Sequence, residues 1–127
     1  MIIIWCGGVM HPHANEVEYI LVTNEKSDSV SLIDLTTLEL IKEIKVGKRP
    51  RGLGLAPDKS EIYVAVSGEN KIKVIETDNF QITRTFYSGD DPESFAVHPS
   101  GLIFISNEEI AQTSVIDPRS GKIIAKI

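Results

Sequence analysis

The sequence has a single cysteine, Cys6, so no disulfide can form within the chain. That excludes a disulfide framework without fixing the redox compartment. No apolar run approaches the roughly 20 residues a bilayer span requires, which excludes a membrane-spanning helix. Basic residues are outnumbered, 13 Lys plus Arg against 18 Asp plus Glu, for a net charge of −5, and they form no run. Such a chain is a poor candidate for nucleic-acid binding. The glycine-rich phosphate loops, the Gly-x-Ser-x-Gly nucleophile elbow and the Cys-x-x-Cys-His haem attachment are all missing, so each of those chemistries loses its usual signature. The apolar stretch Met1–Met10 reads poorly as a signal peptide. No Lys or Arg precedes Lys26, and Pro12 stands two residues before Ala14 where a small residue is wanted. Trp5 beside Cys6 argues likewise against a lipoprotein signal.

The residues present point to strands. Hydrophobic residues make up 42% of the chain, enough for a core, and 18 Ile and 10 Val stand against 8 Leu and 6 Ala. The sequence also repeats. Val46-Gly47-x-x-Pro50 recurs 42 residues on as Ser88-Gly89-x-x-Pro92, and Leu55-Ala56-Pro57-Asp58 recurs as Val97-His98-Pro99-Ser100. Leu21–Asn24 matches Tyr63–Val66 and then Phe104–Asn107. Val30–Asp34 matches Ile72–Glu76 and then Thr113–Asp117, the last step being 41. In the middle unit four apolar segments, Arg51–Ala56, Glu61–Val66, Lys71–Thr77 and Ile82–Tyr87, alternate with turn residues such as Pro57–Ser60, Ser67–Asn70 and Thr77–Asn79. Its inner segments are apolar on both faces, so neighbours must cover both sides of each sheet. Units of four strands and about 42 residues with covered faces predict an all-β chain of β-propeller blades. The blades fall at about 2–47, 48–89 and 90–127.

The repeat resembles the YVTN-type β-propeller family. The marks are Leu21-Val22-Thr23-Asn24, Val30-Ser31-Leu32-Ile33-Asp34, Val46-Gly47 with Pro50 and Gly52, and Leu55-Ala56-Pro57-Asp58. The strings Thr23–Asp28, Arg49–Gly52 and Asp91–Phe95 are similar to those of propellers associated with pyrroloquinoline-quinone-dependent (PQQ-dependent) catabolism. The WD-repeat signature is missing. The resemblance covers residues 9–127 and implies a periplasmic or extracellular protein, with cytochrome nitrite reductase propellers and surface-layer proteins as distant relatives. It implies a binding or scaffold role more than an enzymatic one, and brings no cofactor.

Three repeats fall short of the roughly 4 to 8 blades that close a ring. The expectation is therefore an incomplete ring: part of a longer propeller, or an arc that pairs with a second copy. At the N-terminus, Gly7–Pro12 can be laid over Gly52–Pro57 at an offset of 45. That makes Ile2–Met10 a degenerate first strand, followed by a lengthened loop at 13–18.

In a propeller the loops leading into first strands share one rim with the loops between second and third strands. Candidate rim residues are Arg49 and Arg51 on one inbound loop, Asp91 and Glu93 on the next, and Glu25, Asn107 and Glu108 on the inter-strand loops. Two readings stand side by side. Arg49 and Arg51 hold an anionic group of a small-molecule or protein ligand, or adjacent loops pair their charges across blades. Asp90, Asp91, Glu93, Glu108 and Glu109 offer oxygens to a hard cation, but no calcium-loop motif accompanies them and no metal is assigned. Asp34, Glu76 and Asp117 recur one blade apart at hairpin starts, where acidic side chains cap turns. His11 and His98 each precede a proline at the end of a first strand, and neither they nor His13 carry a metal or haem motif.

Overall fold

A computed structural model describes residues 2–7 and 17–127, the side chains of the first segment and of Val17 excepted. Among the described residues twelve strands run in chain order: β1 (Ile2–Gly7), β2 (Val17–Asn24), β3 (Ser29–Asp34), β4 (Leu40–Lys45), β5 (Pro50–Leu55), β6 (Glu61–Val66), β7 (Lys71–Glu76), β8 (Ile82–Tyr87), β9 (Pro92–Val97), β10 (Ile103–Asn107), β11 (Gln112–Asp117) and β12 (Lys122–Lys126). They form three four-stranded antiparallel sheets, ordered β1-β2-β3-β4, β5-β6-β7-β8 and β9-β10-β11-β12. Within each sheet every strand pairs with a sequence neighbour, and from β2 onward the turns within a sheet are short and polar.

Each outermost pair carries an irregularity at the same place in the repeat: Leu32/Ile33, Val74/Ile75 and Val115/Ile116. An irregular outer strand twists away from flat edge pairing, which protects an open edge.

The first strand differs in register from the sequence expectation. Ile4 pairs with Ile20 as Leu55 pairs with Ile62, so β1 lies over β5 at an offset of 51 rather than 45. The described strand covers Ile2–Gly7, and the rest of the expected Ile2–Met10 lies outside the described residues. The Ile-rich run supplies the β-branched residues a strand favours. Val17 and Glu18, expected in a loop, open β2; residues 8–16 lie outside the described residues.

The core follows from the period-2 alternation of side chains in the middle blade. Ile62, Val64 and Val66 of β6 point to one side, where they bury with Leu21, Val30, Leu32 and Ile44 of the first blade. Tyr63 and Ala65 point to the other, against Ile103, Ile105 and Ile116 of the third. The two clusters are the two interfaces between blades. First strands approach closely: a Cβ on Gly52 would lie 2.5 Å from the Glu93 backbone oxygen, and one on Gly54 would lie 2.7 Å from Val97 Cγ2. Glycine is required there by space rather than by backbone angle.

Two predictions follow from this packing. Ile75→Ala, at a fully buried position, is expected to cost about 2–5 kcal/mol in urea unfolding, and the exposed Ile41→Ala within about 0.5 kcal/mol. Gly52→Ala is expected to destabilise more than Gly54→Ala, because a backbone oxygen cannot rotate away as a valine methyl can. Equal midpoints for the two glycine variants would contradict the close-approach account.

Candidate functional site at the axial rim

The antiparallel order places the β2–β3, β6–β7 and β10–β11 loops at the same end as the connectors between blades. Single 3-10 turns at Glu25–Ser27 and Ser67–Glu69 each end in a left-handed residue, Asp28 (φ 59°) and Asn70 (φ 56°). These polar residues tolerate that conformation. Each uses its side chain to catch the next connector. The Arg49 backbone N–H donates to Asp28 Oδ1 at 3.1 Å, and the Asp91 N–H donates to Asn70 Oδ1 at 2.9 Å. Glu69 Oε1 accepts the Lys48 N–H at 3.2 Å. The rim loops are thus fixed to one another by repeat-equivalent hydrogen bonds.

At the centre stands Arg51, on the first strand of the middle blade. Its carbonyl accepts the Thr23 hydroxyl at 2.9 Å. Its guanidinium donates through Nη2 to Glu25 Oε1 of the first blade at 3.3 Å, and through Nη1 to Glu93 of the third. Arg49 Nε joins the same Glu25 oxygen at 3.4 Å. One cation therefore ties all three blades together. Arg51 Nε is buried and has no hydrogen-bond partner among the described residues. These contacts hold the Glu25 carboxyl below the ordinary glutamate range, Arg51 by hydrogen bond and charge more than Arg49. A cleft of about 470 Å³ opens here, lined by Thr23, Glu25, Arg51, Glu93 and Ser94 among others. Glu25 and Glu93 already pair with Nη2 and Nη1, so an anionic ligand that takes the place of either carboxylate exchanges one ion pair for another.

The remaining candidates separate into two groups. Carboxylate oxygens of Asp91, Glu93 and Glu108 lie within 4.8 Å of one another. Arg51 holds Glu93, and the Ser67 hydroxyl donates to Asp91 Oδ1 at 2.6 Å, so two of the three have partners within the protein. Asn107 is fully buried beneath the rim. It donates to the Ser88 and Asp90 carbonyls at 3.2 and 2.7 Å and accepts the Ser114 hydroxyl at 2.7 Å. Its amide is consumed in holding a connector.

Away from the rim, Asp34 Oδ1 accepts the Thr36 and Thr37 N–H groups, and Asp117 Oδ1 accepts that of Arg119. Both are turn caps. His98 Nδ1 accepts the Ser100 N–H at 3.1 Å, closing the turn after β9. His11 and His13 lie outside the described residues.

A second cleft, of about 500 Å³ and not expected from the sequence, lies at the opposite end of the middle and third blades. Arg84 Nη2 donates to Glu61 Oε1 at 2.7 Å, its Nη1 donates to the Pro118 carbonyl at 2.6 Å, and the Tyr63 hydroxyl donates to Glu61 Oε2 at 3.0 Å. Burial and the Glu61 carboxylate push the Tyr63 phenol well above its usual range. The signal available was Lys42, one repeat before Arg84, which donates to the Phe80 carbonyl of the next blade at 3.4 Å. A recurring base on the fourth strand marks a recurring cross-blade strap.

Comparison with solved structures agrees with the architecture. The chain is 33% identical to Kuenenia stuttgartiensis hydrazine synthase over 87% of its length, with a TM-score of 0.74. It is 17% identical to dihydro-heme d1 dehydrogenase NirN in complex with DHE over 86% of its length, with a TM-score of 0.71. It spans 33% of the first chain and 24% of the second. No protein-family profile and no curated protein matches the chain. The fold is that of propeller blades, in an incomplete ring of all-β sheets.

The Arg51 clamp predicts a pH dependence. A carboxyl held low in the folded state contributes stability that is full above its unfolded pKa, about 4.3 for glutamate, and is lost as pH falls through the folded value. Carbon-detected NMR titration is expected to place Glu25 below that figure. Arg51→Met should raise its midpoint toward the free value, and Arg49→Met should raise it less. An unmoved midpoint in Arg51→Met would contradict the clamp.

Proposed function

We propose that this chain is a non-enzymatic binding and scaffold arc of a YVTN-type β-propeller, acting outside the cytoplasm in support of a PQQ-dependent oxidation pathway. The single observation that carries the binding role is the rim array. Charged side chains from three blades converge on one cleft, with Arg51 between Glu25 and Glu93. Such an array is preorganised, and it binds a polar partner by exchanging one internal ion pair for another. The link to quinone-dependent oxidation and the extracytoplasmic placement rest on the strings Thr23–Asp28, Arg49–Gly52 and Asp91–Phe95. Fold alone does not choose among functions.

A second reading makes the chain part of a cofactor-bearing oxidoreductase. What favours it is that both solved relatives are named as enzymes, one of them in complex with DHE. Absorption spectroscopy on the purified protein separates the two readings. The scaffold role predicts no visible band, with or without added haem, and no oxidation of alcohols by an artificial acceptor. A stoichiometric haem band that disappears on His98→Ala would sink the scaffold reading in favour of the enzyme.

A further inference from the structure

The two junctions between blades differ at the end away from the rim. Tyr19 in the first blade and Glu61 in the middle blade hold the same place, each opposite the acidic residue that ends the third strand, Asp34 or Glu76. Phe80 and Gly121 also correspond. Each is left-handed (φ 56° and 69°), with an N–H that donates at 2.8 Å to the carbonyl of Glu76 or Asp117. In the first junction Tyr19 and Phe80 meet edge to face, with ring centroids 5.5 Å apart. In the second junction those places hold Glu61 and Gly121. Phe86 backs the glycine, and beside Glu61 a cleft of about 500 Å³ opens between the turns. That volume lies within the range of small-molecule sites, about 300–1,000 Å³.

The walls and charges of this cleft select a ligand class. Pro57, Pro99 and Pro118 come from three different turns, and with Tyr63 they give the cleft apolar walls. Five charged side chains line it too, and four of them are paired: Arg84 with Glu61 at 2.7 Å, and Arg119 with Asp117 at 3.1 Å. The fifth, Asp58, forms no ion pair among the described residues. Its Oδ1 accepts the Ser60 hydroxyl at 2.7 Å and the Ser60 N–H at 3.0 Å, leaving room on the carboxylate for a further donor. Those bonds, the hydroxyl's first, hold the Asp58 carboxyl below the ordinary aspartate range, so it is charged at neutral pH. Its charge also acts on the Tyr63 phenol, which places it toward the cleft.

We propose that this cleft binds a small organic cation, its ammonium on Asp58 and its apolar body between the prolines. One carboxylate beside apolar walls does not suit a hard metal ion such as calcium, which takes about six to eight oxygens. An anion would meet the unpaired Asp58 charge, and both guanidinium groups already have carboxylate partners. The site is built from residues 56–119 alone, at the end opposite Arg51. It is therefore independent of what the rim binds and of how the ring closes.

NMR titration with benzylammonium, benzoate and methylammonium tests this. Benzylammonium is expected to move the amides of Ser60, Tyr63 and Gly101 saturably. Benzoate has the same ring and the opposite charge, and methylammonium has the charge without the ring, so both are expected to bind more weakly. Asp58→Asn keeps an oxygen for the Ser60 N–H and removes the charge. It is expected to weaken benzylammonium binding about tenfold or more, as loss of a charged hydrogen bond does. The comparison of the three probes on the wild type stands whether or not the variant folds. Equal affinity for benzoate, no saturable shift with benzylammonium, shifts centred on Glu25 and Glu93 instead, or an Asp58→Asn variant that binds as the wild type does would each overturn the proposal. The visible spectrum that tests the scaffold role is untouched by any of these results, so the two can fail separately.

Discussion

The structure depends on the burial of both faces of the middle blade. A four-stranded antiparallel meander with one wet face would read as alternating polar and apolar residues. Strand β6 does not: Ile62, Tyr63, Val64, Ala65 and Val66 are all buried. Alternate residues serve two different interfaces, so neither flanking blade can be removed without exposing half of the strand. At about 25 cal/mol per Å² of apolar surface, this two-sided burial outweighs any single polar contact at the rim. The close approach at Gly52 and Gly54 is the geometric counterpart, since first strands crowd together as the sheets converge on the axis.

The polar chemistry is arranged around that stacking rather than against it. At one end Asp28 and Asn70 hold the connectors, and Arg51 draws carboxylates from both flanking blades onto the middle one. At the other end Lys42 and Arg84 reach across to a carbonyl of the next blade. In each case a charge or amide at a fixed place in the repeat spans a junction whose apolar centre is already closed. Surface ion pairs of this kind contribute little individually. Their consequence is orientation, and it is the orientation of the rim that leaves a defined polar cleft.

Much of this was legible because the repeat carries it. The strands of the middle blade lie where the apolar segments stood, with ends shifted by a residue at most, and the apolar-on-both-faces pattern foretold stacked sheets. The register of β1 was not legible. Gly7–Pro12 mimics the glycine-proline spacing of a first strand, and only pairing with β2 distinguishes that match from the Ile run beside it. The convergence of Glu25, Arg51 and Glu93 was foreseen as one of two arrangements, since Arg51 and Glu93, 42 apart, occupy the same place on neighbouring blades and the inter-strand loop carrying Glu25 shares their rim. The burial of Asn107 was not foreseen, because an asparagine in a loop reads alike whether it faces solvent or holds a connector. The Tyr63–Glu61–Arg84 cleft was missed because its members lie on different strands and form no local motif.

Among the described residues, β6 is covered on both faces and β2 and β10 on one, so protection must differ along the chain. Hydrogen exchange measures this directly. The account predicts that the amides of β6 exchange more slowly than those of β2 and β10. Protection of β2 and β10 that equals that of β6 would contradict it.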